Sequence, residues 1–338
     1  MSADHLDNEL SVSADLTPTG IKARAKSRAL SAFDRLLGAG FERLSIHLEM
    51  KNAEERALGL ARQKFIAALN EKKLGLLETD ANFLAEALEN DARSSVRRQV
   101  NKDAVAVAAI QDLRDQPPDE EATNSGPDTL SPDFLNRFER YAEDATDDQL
   151  RLKWGRILAS EIRMPGTFSS KVMRVADELD VSIARLFEEV CSHRFDSQIP
   201  CCLVTLPFMS RMRLVSAGLM IEPGVTGHLR VFDQGPVEAG VFWTLAIGRN
   251  RLAIPGDCVL PIGVAWQESP LVRDPKGRAA MPVYILTDEG AAISKILPDN
   301  SGDVRARYGA ALSAACSPSP VYEYEPIEGG GWRMLKSV

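Results

Sequence analysis

Histidine is scarce in this chain, four in 338 residues, and one of them, His5, sits in a polar, acidic N-terminal stretch. Few imidazoles are left for general-base or metal work. The familiar catalytic signatures are missing as well. The sequence holds no glycine loop closed by Lys-Ser or Lys-Thr, no Gly-x-Ser-x-Gly elbow and no His-Glu-x-x-His. The five cysteines, at 191, 201, 202, 258 and 316, are odd in number and unpatterned, which argues against a disulfide framework in so long a chain. No run approaches the roughly 18 apolar residues that a bilayer-spanning helix needs. The opening stretch lacks the positive region and apolar run of a secretory signal, so a reducing cytoplasm is the expected setting.

What is present is ordinary for a soluble protein. Hydrophobic residues make up 44% and charged residues 26%, enough for real cores, and the length predicts two or three domains. The net charge of −8 excludes a general nucleic-acid coat. Along the chain, residues 1–17 read as a disordered tail. Residues 18–114 read as a long helical, coiled-coil-like region, with Leu30, Phe33, Leu37, Phe41, Leu44 and Leu48 on one face. Residues 115–130, two adjacent prolines followed by acids and Asn-Ser-Gly-Pro, read as a linker. Residues 131–195 read as a helical corner domain: Ser131-Pro132 starts one helix, Thr146 with Gln149 is expected to cap the next, and Asp180 caps a third. Residues 196–326 alternate short strands with Gly, Pro and Asn turns and predict a β-rich domain. Residues 327–338 read as a flexible end.

Five groups of residues invite a functional reading. Cys191, His193, Cys201 and Cys202 are zinc-compatible side chains, but adjacent cysteines do not both reach one tetrahedral ion easily. Buried, small and apolar is the commoner role for such cysteines. Between Pro18 and Ile46, six cations (Lys22, Arg24, Lys26, Arg28, Arg35 and Arg43) face only Asp34 and Glu42. With Phe33, Leu37 and Phe41 they give an amphipathic helix suited to anionic lipid or nucleic acid, lipid being favoured because the apolar stripe has little use against phosphates, or to a protein partner, or simply to packing with a solvated back. The stretch Phe208–Val231, a short helix ending RLVSAGLM, then a Gly224–Gly227 turn and HLRVF, is similar to the helix and two-stranded wing of a winged helix. Arg211, Arg213 and Arg230 would there meet phosphates; the apolar character of the helix fits burial better. Phe242, Trp243 and Trp266 place aromatics in the later strands, one of the first two expected outside. Asp257, Glu268 and Asp274 with Lys276 are residue types of a nuclease-like acidic site, but their spacing matches no motif, and charged loop residues are usually solvated.

The most specific stretch is Trp154–Asp180, WGRILASEIRMPGTFSSKVMRVADELD. A tryptophan-bearing helix ends at Pro165-Gly166, and another begins at once. Pro165 cannot continue a helix, and Gly166 tolerates the positive φ of a sharp exit. Trp154 and Phe168 are expected to pack together over that turn. Glu161 is poorly placed for the helix dipole, which asks for a partner such as Arg156 or Arg163, or a functional contact. The pattern Trp154, Ile157, Leu158, Ala159, Glu161, Pro165, Gly166, Thr167, Phe168, Ser169 resembles a bacterial family catalogued as domain of unknown function 2806. The likeness runs over roughly residues 45–325, through "RLVSAGLM" and "ILTDEGAAISKIL", and is specific only at the corner. That family implies no activity. Its layout is similar to that of the abortive-infection alpha family, which would imply a role in bacterial defence against phage.

The sequence therefore predicts an α+β protein: a long helical N-terminal half, a central helical corner domain and a β-rich C-terminal domain with a winged-helix-like start. The expected function is that of a non-enzymatic interaction or scaffold protein in the cytoplasm or at the inner face of the membrane, its N-terminal helices serving self-association, a protein partner or a membrane surface. A winged-helix nucleic-acid-binding regulator is the alternative. No cofactor and no small-molecule substrate is expected, and the corner is read as a building block.

Overall fold

A computed structural model of the chain describes residues 22–37, 81–118, 126–224, 227–237, 240–256, 258, 268–327 and 331–337. It is an α+β protein of two compact units, residues 1–173 and 174–338. The boundary falls within a helix, not in the Pro-rich segment.

Unit 1 is helical. Among its described residues are α1 (Lys22–Leu37), α2 (Ala81–Asp115), α3 (Pro132–Glu143), α4 (Asp148–Arg163) and the start of α5 (Ser170–Glu178). The dominant packing pair is α2 with α4. Gly155 makes it possible: a Cβ there would lie 2.5 Å from the Ala108 Cβ and 2.9 Å from the Ala109 nitrogen. Small residues on α2 and a glycine on α4 let two backbones approach as ordinary side chains would not. Residues 115–130 thus connect two parts of one core, because the helices on either side of them bury each other. α1 joins the same core through Ala25, Ala29, Ala32, Phe33, Leu36 and Leu37, while Leu30, expected on the apolar face, is exposed. The α4 cap is Asp147, whose carboxylate accepts from the Leu150 N–H at 2.9 Å, in place of the Thr146–Gln149 box. Asp115 ends α2, and Arg163 holds that end by donating to the Asp112 and Gln116 carbonyls at 2.7 and 2.9 Å. Cations at helix C-termini are favoured in this way.

Unit 2 holds the rest of α5, then α6 (Val181–Cys191), β1 (Gln198–Pro200), a single 3₁₀ turn at Cys201–Leu203, α7 (Phe208–Ser216), β2 (His228–Val231), β3 (Asp233–Val237), β4 (Gly240–Ile247), β5 (Asn250–Pro255), β6 (Val272–Arg273), β7 (Ala279–Ile285), α8 (Asp288–Ser294), α9 (Ser301–Cys316), β8 (Tyr322–Pro326) and β9 (Trp332–Ser337). Two antiparallel sheets result. In the first, β7 is central, flanked by β1 and β2, with β6 also on β7; the second runs β3-β4-β5-β8-β9. Its core-facing side, with Leu245, Ile247, Leu252 and Ile254, shares one cluster with Val304, Tyr308 and Leu312 of α9.

Three sequence expectations change here. The apolar run 199–206 is a strand only to Pro200, since Cys201 opens the 3₁₀ turn. Residues 228–231 do not pair across the Gly224–Gly227 turn as a two-stranded wing: β2 pairs with β7, and Met220 before the turn bridges Leu286. The chain's last residues are not a flexible tail. Residues 332–337 form β9, which pairs with β8 and moves β8 from the edge into the sheet. The candidate residue Phe41, the acid Asp257 and Trp266 lie outside the described residues, as do the side chains of Lys22, Arg24 and Lys26.

Candidate functional site

The Pro-Gly corner is built around one buried carboxylate. Glu161, in the last turn of α4, is 2% exposed. Its Oε1 accepts from the Gly166 N–H at 2.6 Å and its Oε2 from the Phe168 N–H at 2.9 Å. These are backbone donors freed where the chain leaves one helix and enters the next, and a charged acceptor is the strong way to satisfy them. Gly166 has φ +86°, with nothing within 4 Å of a notional Cβ, so backbone angle rather than space demands glycine. Arg156 and Arg163, expected near Glu161, both reach Asp112 of α2, at 3.9 and 2.6 Å.

Trp154 is buried, but it does not clamp the turn. It stacks on Tyr141 (centroids 4.5 Å apart, planes at 12°) and meets Phe138 edge-on (5.9 Å, 79°), both on α3. Nine residues separate it from the end of α4, about 14 Å of helix, too far to lie over the corner. Phe168 is buried on its own side of the turn.

α1 also reaches the corner. Arg28 is fully buried; its Nε donates to the Pro127 carbonyl at 2.6 Å and its Nη1 to the Ile162 carbonyl at 3.3 Å. Pro165 and Arg28 both approach Gly126. Arg28, Phe33 and Leu37, read from sequence as membrane or partner contacts, are thus interior to unit 1. The cause is that α1's stripe packs on α2 and α4.

At the corner both carboxylate oxygens of Glu161 thus accept from main-chain donors. Residues 87–199 match the family model described as "Protein of unknown function (DUF2806)". This segment belongs to the DUF2806 family. The DUF2806 segment takes in most of α2, all of the corner and α6, and ends in β1, a narrower span than the sequence likeness implied. No curated protein and no solved structure gives a match.

The second place of interest is α7. Phe208 and Met209 at its start are 60% and 68% exposed. Beside them a groove of about 460 Å³ is lined by Val175, Leu179, Ile183, Met209 and Met212, with Glu178 and Arg213 at its polar margin. The turn after α7 is fixed from α8. The Thr287 hydroxyl donates to the Gly218 carbonyl at 2.5 Å and accepts from the Gly290 N–H at 2.9 Å. A Cβ on Gly290 would lie 2.1 Å from the Leu219 carbonyl oxygen. The segments RLVSAGLM and LTDEG are therefore one interlocked unit.

Of the arginines expected to meet phosphates, Arg213 is exposed and donates to the Ser182 hydroxyl. Arg211 turns over Phe208 (5.5 Å) and toward Tyr284. Burial and the Cys201 thiol push the Tyr284 hydroxyl up to about 12, against the pull of Arg211. Arg230 lies over Phe195 at 5.9 Å and donates to Gln198 Oε1 at 3.2 Å.

Cys191, Cys201 and Cys202 are held as thiols. Burial pushes Cys191 to about 12 and Cys202 to about 11, and raises Cys201 further. His193 is lowered by burial and by Arg307, whose Nη1 is 3.2 Å from its Nδ1. Among the described residues no three His, Cys, Asp or Glu side chains gather to hold an ion. Asp274 closes a turn, accepting from the Lys276 and Arg278 N–H groups at 2.9 and 2.7 Å, while Glu268 is exposed. Phe242 is buried against Tyr322, and Trp243 is partly buried on the core, so neither stands out as a ligand platform. Among the described residues no helix is long and apolar enough to cross a membrane.

Proposed function

We propose that this chain is a non-enzymatic interaction protein that self-associates or holds a protein partner, and that α7 with its groove is the working surface of unit 2. The observation that carries this is the exposure of Met209, which lines an apolar groove, and of Phe208 next to it in the chain. Apolar side chains gathered at a concave surface gain most from being covered by another apolar surface. The corner supports the same reading from unit 1, since its acid is spent on backbone N–H groups. Multi-angle light scattering on the full chain, across concentration, tests self-association. The expected result is a larger species that Phe208→Ser/Met209→Ser converts to monomer; a monomer at every concentration removes self-association. The role in defence against phage rests on the layout likeness to the abortive-infection alpha family. Plaque counts on cells with and without the gene test it, and equal counts end it. Contact with a membrane surface through the basic N-terminal segment is tested by co-sedimentation with anionic and neutral vesicles.

A second reading is favoured by one observation. The order α6, β1, α7, β2, β7 with sheet order β1-β7-β2 is similar to that of a winged helix whose wing would carry the later strands as an insertion, with the 3₁₀ turn at Cys201–Leu203 standing before α7. Fold order alone does not bring DNA binding with it. A salt-dependent duplex-DNA shift that Arg213→Ala weakens would support this reading over the first.

A further inference from the structure

The C-terminal strand offers a second, separate surface. β9 is the last strand of its sheet, and among the described residues no strand pairs its outer edge. Residues 331–335 and 337 are all exposed. Trp332, Met334 and Leu335 are 41%, 56% and 44% exposed, a concentration of large apolar side chains on one open edge. Open edges invite strand pairing, and proteins ordinarily blunt them with charge or a bulge. β9 has both. Leu335 lies at a register shift, and Arg333 stands among the apolar residues.

These features are selective. Arg333 pairs across the strand with Glu325, its Nε donating at 2.7 Å, and position 336, a lysine, stands opposite Glu323. On the other face, Trp332 carries Arg251 over its ring at 4.3 Å, and Met334 stands opposite Tyr324. The strand that β9 accepts inside the chain, YEYEP, alternates aromatic and acid. Against a second copy of β9 in full-length antiparallel register, Arg333 would stand opposite position 336, a lysine, which disfavours that pairing. A strand with an acid in phase with Arg333, and aromatic or aliphatic residues in phase with Trp332 and Met334, repeats on the outer edge what Glu325, Tyr324 and Pro326 of β8 do on the inner one; Glu323 is buried and held by Arg305 at 2.7 Å.

We propose that β9 is a docking edge for an extended, acidic, aromatic-bearing segment of a partner protein, added as a sixth strand by β-augmentation. The test uses the full chain and two synthetic peptides: a copy of residues 321–327, and the same peptide with both glutamates replaced by lysine. Binding is read by amide hydrogen exchange of residues 332–337 and by titration at two salt concentrations. The acidic peptide is expected to slow exchange across β9 and to bind at least about tenfold more tightly than its charge-reversed form, a gap of roughly 1.4 kcal/mol. Its affinity should fall as salt rises. Arg333→Glu should reverse the preference; the salt series on the unaltered protein stands if that variant misfolds. Equal binding of the two peptides, no protection of β9, or the same protection arising from concentration-dependent dimers without peptide would each overturn the proposal.

Discussion

Glu161 illustrates how one side chain sets a chain direction. It sits where the helix dipole disfavours an acid, and it is kept there because two main-chain donors need a single acceptor group that spans both. Glu161→Gln offers one good acceptor and turns an N–H toward an N–H. A loss of about 1–3 kcal/mol is expected, read by urea unfolding. Asp180 makes the complementary point at the start of α6. The Ser182 hydroxyl and the Ile183 N–H hold its carboxyl below the usual value. A lowered folded-state value stabilises above the unfolded value, about 3.9, and that help disappears as pH falls through the folded one. Asp180→Asn should therefore match the parent in stability below that range and differ from it above, in melting curves taken from pH 2 to 6. Proline, glycine and the cap were readable in the sequence because their reasons are local. The role of Glu161 was not, since its partners become visible only once the turn is closed.

At the scale of elements, close approach is the theme. Gly155→Ala should drive α2 and α4 apart, because the added carbon collides with Ala108. A cost of about 1–3 kcal/mol is expected, with a loss of near-ultraviolet signal from Trp154. By helix propensity alone a mid-helix glycine such as Gly155 counts as a mild flaw, and no periodicity marks which glycine faces another backbone. The same limit misplaced the aromatic clamp: Trp154 and Phe168 are neighbours in the motif, yet helix rise separates them. The strands β2, β4, β5 and β7 were legible from alternation and turn residues. Their partners were not, since β2 pairs across a long insertion with β7. β9 was missed because a glycine-rich approach hides six residues that become a strand only by lying against β8.

For the whole molecule, the division at residue 173 replaces the one read at the Pro-rich segment. Composition marks where chain is exposed, not where cores end. A fragment starting at residue 131 should accordingly fail to fold its first part. It lacks α1 and α2, and the buried faces of α3 and α4 would be bare. Circular dichroism with dye binding should report a partly molten fragment that retains only the transition of unit 2.

Arg28 has a further consequence for how the protein is made. Its bond to the Ile162 carbonyl spans 134 residues. At the usual pace of translation, that separation corresponds to roughly 7–27 s between the emergence of the arginine and that of its acceptor. During that interval α1 can already meet α2, but its buried guanidinium has no Ile162 carbonyl to donate to. The last step in seating α1 therefore waits on the synthesis of α4.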